Sequence, residues 1–299
     1  MMSRPWSGIK RTGQIAWTSI QEFIDDHPFP SAAALSYYTL LSIAPLLLVV
    51  TSIAGLMLGD ADIRGELVRQ TRALIGEDGA AILQTVSQNV SSPRENLLSM
   101  SIGVLLMLFG ASTVFAQLQF ILNRIWRVEA APANAVIGFI RARLISLTII
   151  LGLGFMLLVS LVLSAMLTAV SGTLSELFPG AEIVARMLEL AVSLGFITLL
   201  LALFFRYVPD AEVSWRDTLT GAIVTATLFT LGKYLIGLYL GQASVGSAYG
   251  AAGSAVVFMV WVYYASLILL FGAEVTKTVA RYRGHPLEPS PHARSLRSS

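Results

Sequence analysis

The chain has 299 residues, of which 55% are hydrophobic and only 13% are charged, and its mean hydropathy is +0.72. This composition excludes an ordinary soluble protein, in which roughly a quarter of the residues are charged. The net charge of +2 does not indicate nucleic-acid binding, because the basic residues flank apolar runs, where membrane orientation accounts for them. The lack of cysteine excludes disulfides and Cys-ligated metal sites. We therefore expect an all-α, polytopic membrane protein.

The N-terminal segment, residues 1–31, mixes aromatic and charged side chains. Within it, residues 9–24 have the spacing of an amphipathic helix that lies in the cytoplasmic membrane interface. The sequence HPFP at His27–Pro30 predicts the end of that helix.

Six apolar stretches follow within a predicted transmembrane domain at 32–283, and each has about the 20 residues needed to cross a bilayer core. They lie at about 32–58, 97–122, 144–170, 187–206, 218–240 and 252–274. If the N-terminus is cytoplasmic, fourteen of the 20 Lys and Arg residues lie inside and five lie outside. This positive-inside bias predicts a six-helix bundle with both termini in the cytoplasm.

Two segments outside the spans have their own character. Residues 59–96 predict an amphipathic helical hairpin on the outer face, either as a gate over a cavity or as a cover for helix ends. Residues 284–299 are rich in Pro, Ser and Arg and predict a disordered cytoplasmic tail.

The first span carries hydroxyl groups at Ser36, Tyr37 and Tyr38 and a proline, Pro45, in its middle. A proline removes a backbone donor and predicts a helix kink. A kink beside hydroxyls can line a cavity, or it can be packing geometry alone.

The fifth span contains Lys233, the only Lys or Arg well inside an apolar run. A charge at the bilayer centre costs about 3 kcal/mol on insertion scales, so Lys233 either faces a cavity or extends its ammonium to the outer interface. Gly237 and Gly241 would permit close packing or a broken helix near the end of this span.

The last span, within residues 246–274, begins with small residues and ends in a carboxylate. Gly246, Gly250 and Ser254 recur every four residues, which together with Gly253 predicts close helix packing. The candidate cavity and substrate residues of the chain are Ser36, Tyr37, Tyr38, Lys233, Tyr249, Tyr263 and Glu274. The basic residues after Glu274 are of the kind found just outside a membrane.

Enzyme signatures are missing from the sequence. It has no Walker loop and no GxSxG elbow, and its three histidines lie in terminal or pre-membrane segments. We therefore predict no catalytic residues, no metal and no cofactor.

Four segments carry a resemblance to a known family: AALSYYTLLSIAPLLL at 33–48, FGAS at 109–112 with N-x-I-W at 123–126, YVPD at 207–210, and the stretch 249–274. Together they resemble the YihY/virulence factor BrkB family of bacterial inner-membrane proteins. The resemblance implies six transmembrane helices in the inner membrane. The family has carried a ribonuclease label, which we regard as a misassignment, because the chain lacks the clustered carboxylates or histidines of a metal-dependent nuclease.

Two functions remain open at this stage. The first is a transporter or exporter of an anionic lipid or small metabolite, a role that relatives linked to envelope-lipid export suggest by analogy. The alternative is a non-transporting scaffold or envelope-assembly factor whose Gly, Ala and Ser surfaces form a homo-oligomer. Membrane lipids are the expected partners in both, and no nucleic acid is expected.

Overall fold

The computed structural model describes residues 5–42, 113–131, 181–242, 253–285 and 287–296. Its helices are α1 (Pro5–Asp25), α2 (28–42), α3 (113–125), α4 (Ala181–Tyr207), α5 (Trp215–Gln242) and α6 (Gly253–Tyr282). Its strands are β1 (Val128–Ala130), β2 (Ala211–Glu212), β3 (Glu288–Pro289) and β4 (Ala293–Ser295). The structure is thus mostly helical, as the all-α prediction requires. The predicted outer hairpin at 59–96 and Pro45 lie outside the described residues.

Two helical segments in the described part of the chain are long and apolar enough to cross a bilayer. They are Leu190–Tyr207 in α4 and Ala255–Tyr282 in α6. The helix α6 continues well beyond residue 274, where the sequence places the end of the last span. The presence of six spans and their orientation in the membrane remain predictions.

The break between α1 and α2 follows from the His27-Pro28 pair. His27 adopts a left-handed backbone conformation with φ of 52°. Pro28 then begins α2, a position where its missing N–H group costs nothing. The end of α1 at Asp25 therefore lies where the sequence predicts a helix stop.

The end of α6 is a Schellman motif centred on Gly284, whose φ is +78°. The His285 N–H donates to the Ala280 carbonyl at 2.9 Å, and the Gly284 N–H donates to the Arg281 carbonyl at 3.1 Å. Glycine adopts this left-handed conformation without the steric cost of a Cβ. The motif turns the chain sharply and fixes the position of His285.

Two short antiparallel pairs join the C-terminal residues to earlier loops, β1 with β4 and β2 with β3. Further backbone bonds run from the Ser290 N–H to the Asp210 carbonyl at 3.0 Å and from the Leu296 N–H to the Arg127 carbonyl at 2.8 Å. Residues 287–296 therefore differ from the disordered tail that their composition predicts. Their strand partners lie far away in the sequence, so composition alone gives no sign of the pairing.

Contacts divide the chain into two compact units. Unit 1 comprises Met1–Asp26, Gln119–Thr230 and Leu269–Ser299, and unit 2 comprises His27–Leu118 and Leu231–Ile268. The described core of unit 1 includes Leu122, Phe205, Val208 and Leu270, all almost completely buried.

Within unit 1, α5 and α6 approach closely through two reciprocal glycine–threonine pairs. A Cβ on Gly221 would meet the Thr276 side chain and lie 2.7 Å from the Gly272 carbonyl oxygen, and one on Gly272 would meet Thr225. Each threonine hydroxyl donates to the carbonyl four residues earlier, Thr225 to Gly221 at 2.7 Å and Thr276 to Gly272 at 2.9 Å. The small residues thus bring the two helix backbones together while the hydroxyls of Thr225 and Thr276 both keep a partner.

Unit 2 has a small core between α2 and the first half of α6. The buried Ser36 hydroxyl donates to the Met259 carbonyl at 2.7 Å. Phe258 and Val262 form a buried cluster against which Leu40 and Trp261 pack.

We predict that Gly221→Leu destabilises the protein by about 1–3 kcal/mol or more, because the new side chain collides with Thr276 and the backbone of α6. The matched control is Gly195→Leu in α4, where an added Cβ meets nothing within 4 Å. Thermal unfolding of the detergent-solubilised variants, followed by circular dichroism, measures the difference. Equal losses in both variants would contradict the close α5–α6 contact.

Candidate functional site

The most unusual polar feature of unit 1 is a buried lysine held between α1 and α6. Glu274, Lys277 and Arg281 follow one another at spacings of three and four residues, so they share one face of α6. Glu22 and Asp26 have the same four-residue spacing at the end of α1. The two faces meet, so Lys277 and Arg281 of α6 lie beside Glu22 and Asp26 of the α1 end.

The ammonium of Lys277 contacts three carboxylates. Its Nζ lies 2.9 Å from Glu274 Oε2, 3.0 Å from Glu22 Oε2 and 3.2 Å from Asp26 Oδ2. A protonated lysine has three N–H donors and no acceptor. The three acids therefore match the donor capacity of Lys277.

Two arginines complete the cluster. Arg281 forms a bidentate pair with Glu22, with N–O distances of 2.6 and 2.7 Å. Arg127, which follows α3 in a left-handed conformation, donates to Asp26 at 3.0 Å. Three formal positive charges thus balance three negative ones. We call Glu22, Asp26, Arg127, Glu274, Lys277 and Arg281 the Lys277 network.

Glu274 is the most constrained member of the network. Its side chain is completely buried, and its second oxygen, Oε1, has no hydrogen-bond partner among the described residues. A buried carboxylate oxygen without a donor is costly. Among the carboxylate oxygens of this cluster, Glu274 Oε1 is therefore the one without a donor from the described residues.

A cavity of about 500 Å³ opens beside the network. Its lining residues are Glu22, Asp25, Trp126, Arg127, Lys277, Arg281, His285 and Leu287. No group of three or more His, Cys, Asp or Glu in the described part of the chain is arranged to hold a metal ion. The Lys277 ammonium already occupies the centre of the three carboxylates.

The charge state of Glu22 reflects its two basic partners. Burial raises the pKa of Glu22, but the hydrogen bonds and positive charges of Arg281 and Lys277 outweigh burial and hold the pKa below its ordinary value of 4.5. Glu22 therefore stays ionised and keeps its contacts at neutral pH.

Two family-like motifs meet at Asp210. Asn123 donates to Asp210 Oδ2 at 2.7 Å and accepts the Asp210 N–H at 2.8 Å, and Gln119 donates to the same carboxylate oxygen at 3.2 Å. The bonds tie the YVPD turn to the end of α3. This contact gives both segments a structural role, because the Asn123 amide binds both the carboxylate and the backbone of Asp210.

The candidate cavity residues fall in different parts of the structure. Unit 2 contains Ser36, whose hydroxyl donates to a backbone carbonyl. It also contains Tyr37 and Tyr38, whose rings pack edge to face with their centroids 5.8 Å apart. Tyr263 is half-buried and Lys233 is exposed, both in unit 2.

The remaining sequence candidates are placed as follows. Glu274 belongs to unit 1, where its partner is Lys277. Gly253 is buried, while Gly237, Gly241 and Ser254 lie in helices. Tyr249, Gly246 and Gly250 lie outside the described residues.

Sequence reasoning missed the role of Lys277, which it placed in a basic cluster outside the membrane. The structure buries this lysine. The spacing of Glu274, Lys277 and Arg281 was a readable signal for ion pairs along one helix face. The acids of α1 gave no such signal, because they lie about 250 residues earlier in the chain.

Nearly the whole chain matches a known protein family. The model of the family described as virulence factor BrkB matches residues 19–297. The chain belongs to this family. It is a membrane protein by the names of its relatives, and no solved structure matches it.

Relatives in three bacteria carry the description UPF0761 membrane protein. One from Psychromonas ingrahamii is 32% identical over 258 residues, which cover 84% of this chain and 82% of the relative. One from Pseudomonas aeruginosa is 30% identical, covering 84% of this chain and 59% of the relative, and one from Stenotrophomonas maltophilia is 28% identical, covering 92% and 62%. The chain thus spans less than two thirds of the length of the last two relatives.

We predict that Lys277→Met lowers the free energy of unfolding by about 3–5 kcal/mol, because it leaves Glu274 buried without a counter-charge. Adding Glu274→Leu should restore part of the loss. The control is Arg294→Met, since the pair of Arg294 with Glu129 is exposed and such pairs contribute about 0–1 kcal/mol. Denaturant unfolding measures all three variants. A Lys277→Met protein as stable as the control would contradict the buried network.

The pKa of Glu22 predicts a dependence on pH. Because the folded-state pKa lies below the ordinary value of 4.5, the ionised Glu22 stabilises the fold fully above that pH. The contribution is lost as the pH falls through the folded-state pKa. Wild type should therefore melt at a higher temperature than Glu22→Gln at neutral pH, and the gap should shrink below about pH 4.5. A gap that stays constant or widens on acidification would show that the Glu22 charge is not responsible.

Proposed function

We propose that the protein is a bacterial inner-membrane transporter or exporter of an anionic lipid or small anionic metabolite, with both termini in the cytoplasm. The observation that supports this most is the fully buried Glu274 carboxylate in α6, with one oxygen unpartnered among the described residues. Ionisable groups within apolar membrane helices are costly, and they commonly mark ion or substrate pathways.

The surroundings of Glu274 suggest how such a pathway would work. The cavity beside the Lys277 network presents Arg127 and Arg281, both more than half exposed and each already paired with an acid. An anion that enters would compete with Asp26 and Glu22 for these guanidinium groups. Released carboxylates would weaken the link between α1 and α6, so substrate binding and helix movement would be coupled.

Lys233, in unit 2, is a separate candidate cation for the substrate. It is exposed on α5, within the predicted fifth span. A lysine in such a segment either faces a path for anions or reaches the outer interface. The transport rate of Lys233→Met distinguishes these two roles.

The scaffold alternative rests on Gly246 and Gly250. Both lie outside the described residues, so this alternative remains a hypothesis from the sequence alone.

The transport proposal is tested in vesicles that contain the purified protein. Fluorescently labelled phosphatidylglycerol reports lipid movement between leaflets, and radiolabelled glycerol 3-phosphate reports movement of a small anion. Lys233→Met and Glu274→Gln should each lower the transport rate of the substrate by about tenfold or more, equivalent to at least about 1.4 kcal/mol of barrier. Arg294→Gln, which alters an exposed pair, should leave the rate unchanged.

Circular dichroism on the same samples shows whether each variant is folded. If folded Lys233→Met transports normally, that residue has no part in the mechanism. If wild type moves neither probe faster than empty vesicles, the transport proposal fails for both substrate classes.

A further inference from the structure

A second cavity in unit 1, of about 600 Å³, has a lining dominated by arginine. Its lining residues are Arg11 of α1, Arg216 and Leu219 of α5, and Arg283 and His285 after α6. We call it the arginine cavity. No carboxylate lines it among the described residues, so it presents a strongly positive surface.

Two of the three arginines are fixed in place by backbone carbonyls. Arg11 donates to the carbonyl of Tyr282. Arg283 donates to the carbonyl of Arg216 at 2.9 Å and to Asp217 Oδ1 at 2.8 Å. These bonds order the guanidinium groups before any ligand binds, which lowers the entropy cost of binding.

The nearby acid does not neutralise the cavity. Asp217 is completely buried, and its two oxygens are occupied by Arg283 and by His285 Nδ1, the latter at 3.0 Å. Of the three arginines of the cavity, Arg283 is the one paired with this carboxylate among the described residues. The cluster carries a net positive charge.

Arg216 is the residue that points most directly to a ligand. It is exposed. Its backbone carbonyl accepts a bond from Arg283, but its guanidinium donates to none of the described residues. It is also the second residue of α5, where the helix dipole is positive and disfavours a cation. An anion in the cavity would compensate both charges, because helix N-termini and arginines each favour phosphate.

An apolar strip leads away from the arginine cavity along α5. Trp215, Leu219 and Ile223 recur every four residues and are all exposed, and Leu219 itself lines the cavity. The Trp215 ring also lies under the Arg206 guanidinium, 4.9 Å from it. Tryptophan beside arginine is typical of the level where lipid headgroups meet acyl chains. The ligand should accordingly have an anionic head and an apolar tail.

We infer that the arginine cavity binds the phosphate of an anionic phospholipid, with an acyl chain along Leu219 and Ile223. Arg11, Arg216 and Arg283 hold the phosphate, and Arg216 supplies donors that no described residue uses. A role of this site as the entry or exit point for a transported lipid rests on the proposed function. Binding of the lipid at the site does not depend on transport.

Binding is measured on the full-length protein in neutral detergent with fluorescent phosphatidic acid as the probe. Arg216→Gln should weaken binding about tenfold, and higher salt should weaken wild-type binding as well. Arg294→Gln, outside the cavity, should bind as wild type does. Because Arg216 is exposed, its replacement should leave the melting temperature unchanged.

Two competitors identify the source of the phosphate. Unlabelled phosphatidic acid should displace the probe, whereas glycerol 3-phosphate, which shares its phosphate but has no acyl chain, should displace it only at far higher concentration. Equal potency of the two would overturn the lipid assignment. Equal affinity of wild type and Arg216→Gln would overturn the site. The assay requires no transport, so failure of transport in vesicles leaves its result standing.

Discussion

The buried ammonium of Lys277 is the constraint on which the architecture of unit 1 depends. A lysine taken out of water needs acceptors for all three of its N–H groups, or the fold loses several kcal/mol. One acceptor, Glu274, comes from the same helix, but the other two come from the end of α1. The N-terminal helix must therefore lie against α6.

The neighbouring features follow from that placement. With α1 on α6, Arg11 reaches the last carbonyl of α6, and Arg127 reaches Asp26. The turn at Gly284 then brings His285 to Asp217 at the start of α5. These contacts bring Arg11 of α1, Arg216 of α5 and Arg283, which follows α6, to one positively charged cavity.

Close packing of α5 against α6 is the second feature that positions the arginine cavity. The pairs of Gly221 with Thr276 and Gly272 with Thr225 set the distance between α5 and α6, so the start of α5 lies beside the end of α6. The threonine hydroxyls bond within their own helices and leave no unsatisfied group at the contact. Helix packing of this kind needs no apolar driving force and is typical of membrane proteins.

Much of the helical class could be predicted from the sequence because apolar run length and the HPFP break are local signals. Glu274 was also a local signal, as a carboxylate at the end of an apolar run. The burial of Lys277 was not, since it depends on acids that lie far away in the chain, and the pairing of β4 with β1 has the same non-local cause. The glycines that pack α5 on α6 gave no clear signal in the sequence. Each helix has one glycine followed four residues later by a threonine at this contact, without the repeated small residues of the stretch near Gly250.

Native mass spectrometry of the protein, gently extracted from its own membrane, distinguishes a transporter from a scaffold, because it identifies retained ligands and oligomeric state together. If the protein transports an anion, a specific anionic phospholipid or anionic metabolite should be bound in defined stoichiometry. A clean oligomer that carries only bulk lipid would contradict transport and favour a scaffold.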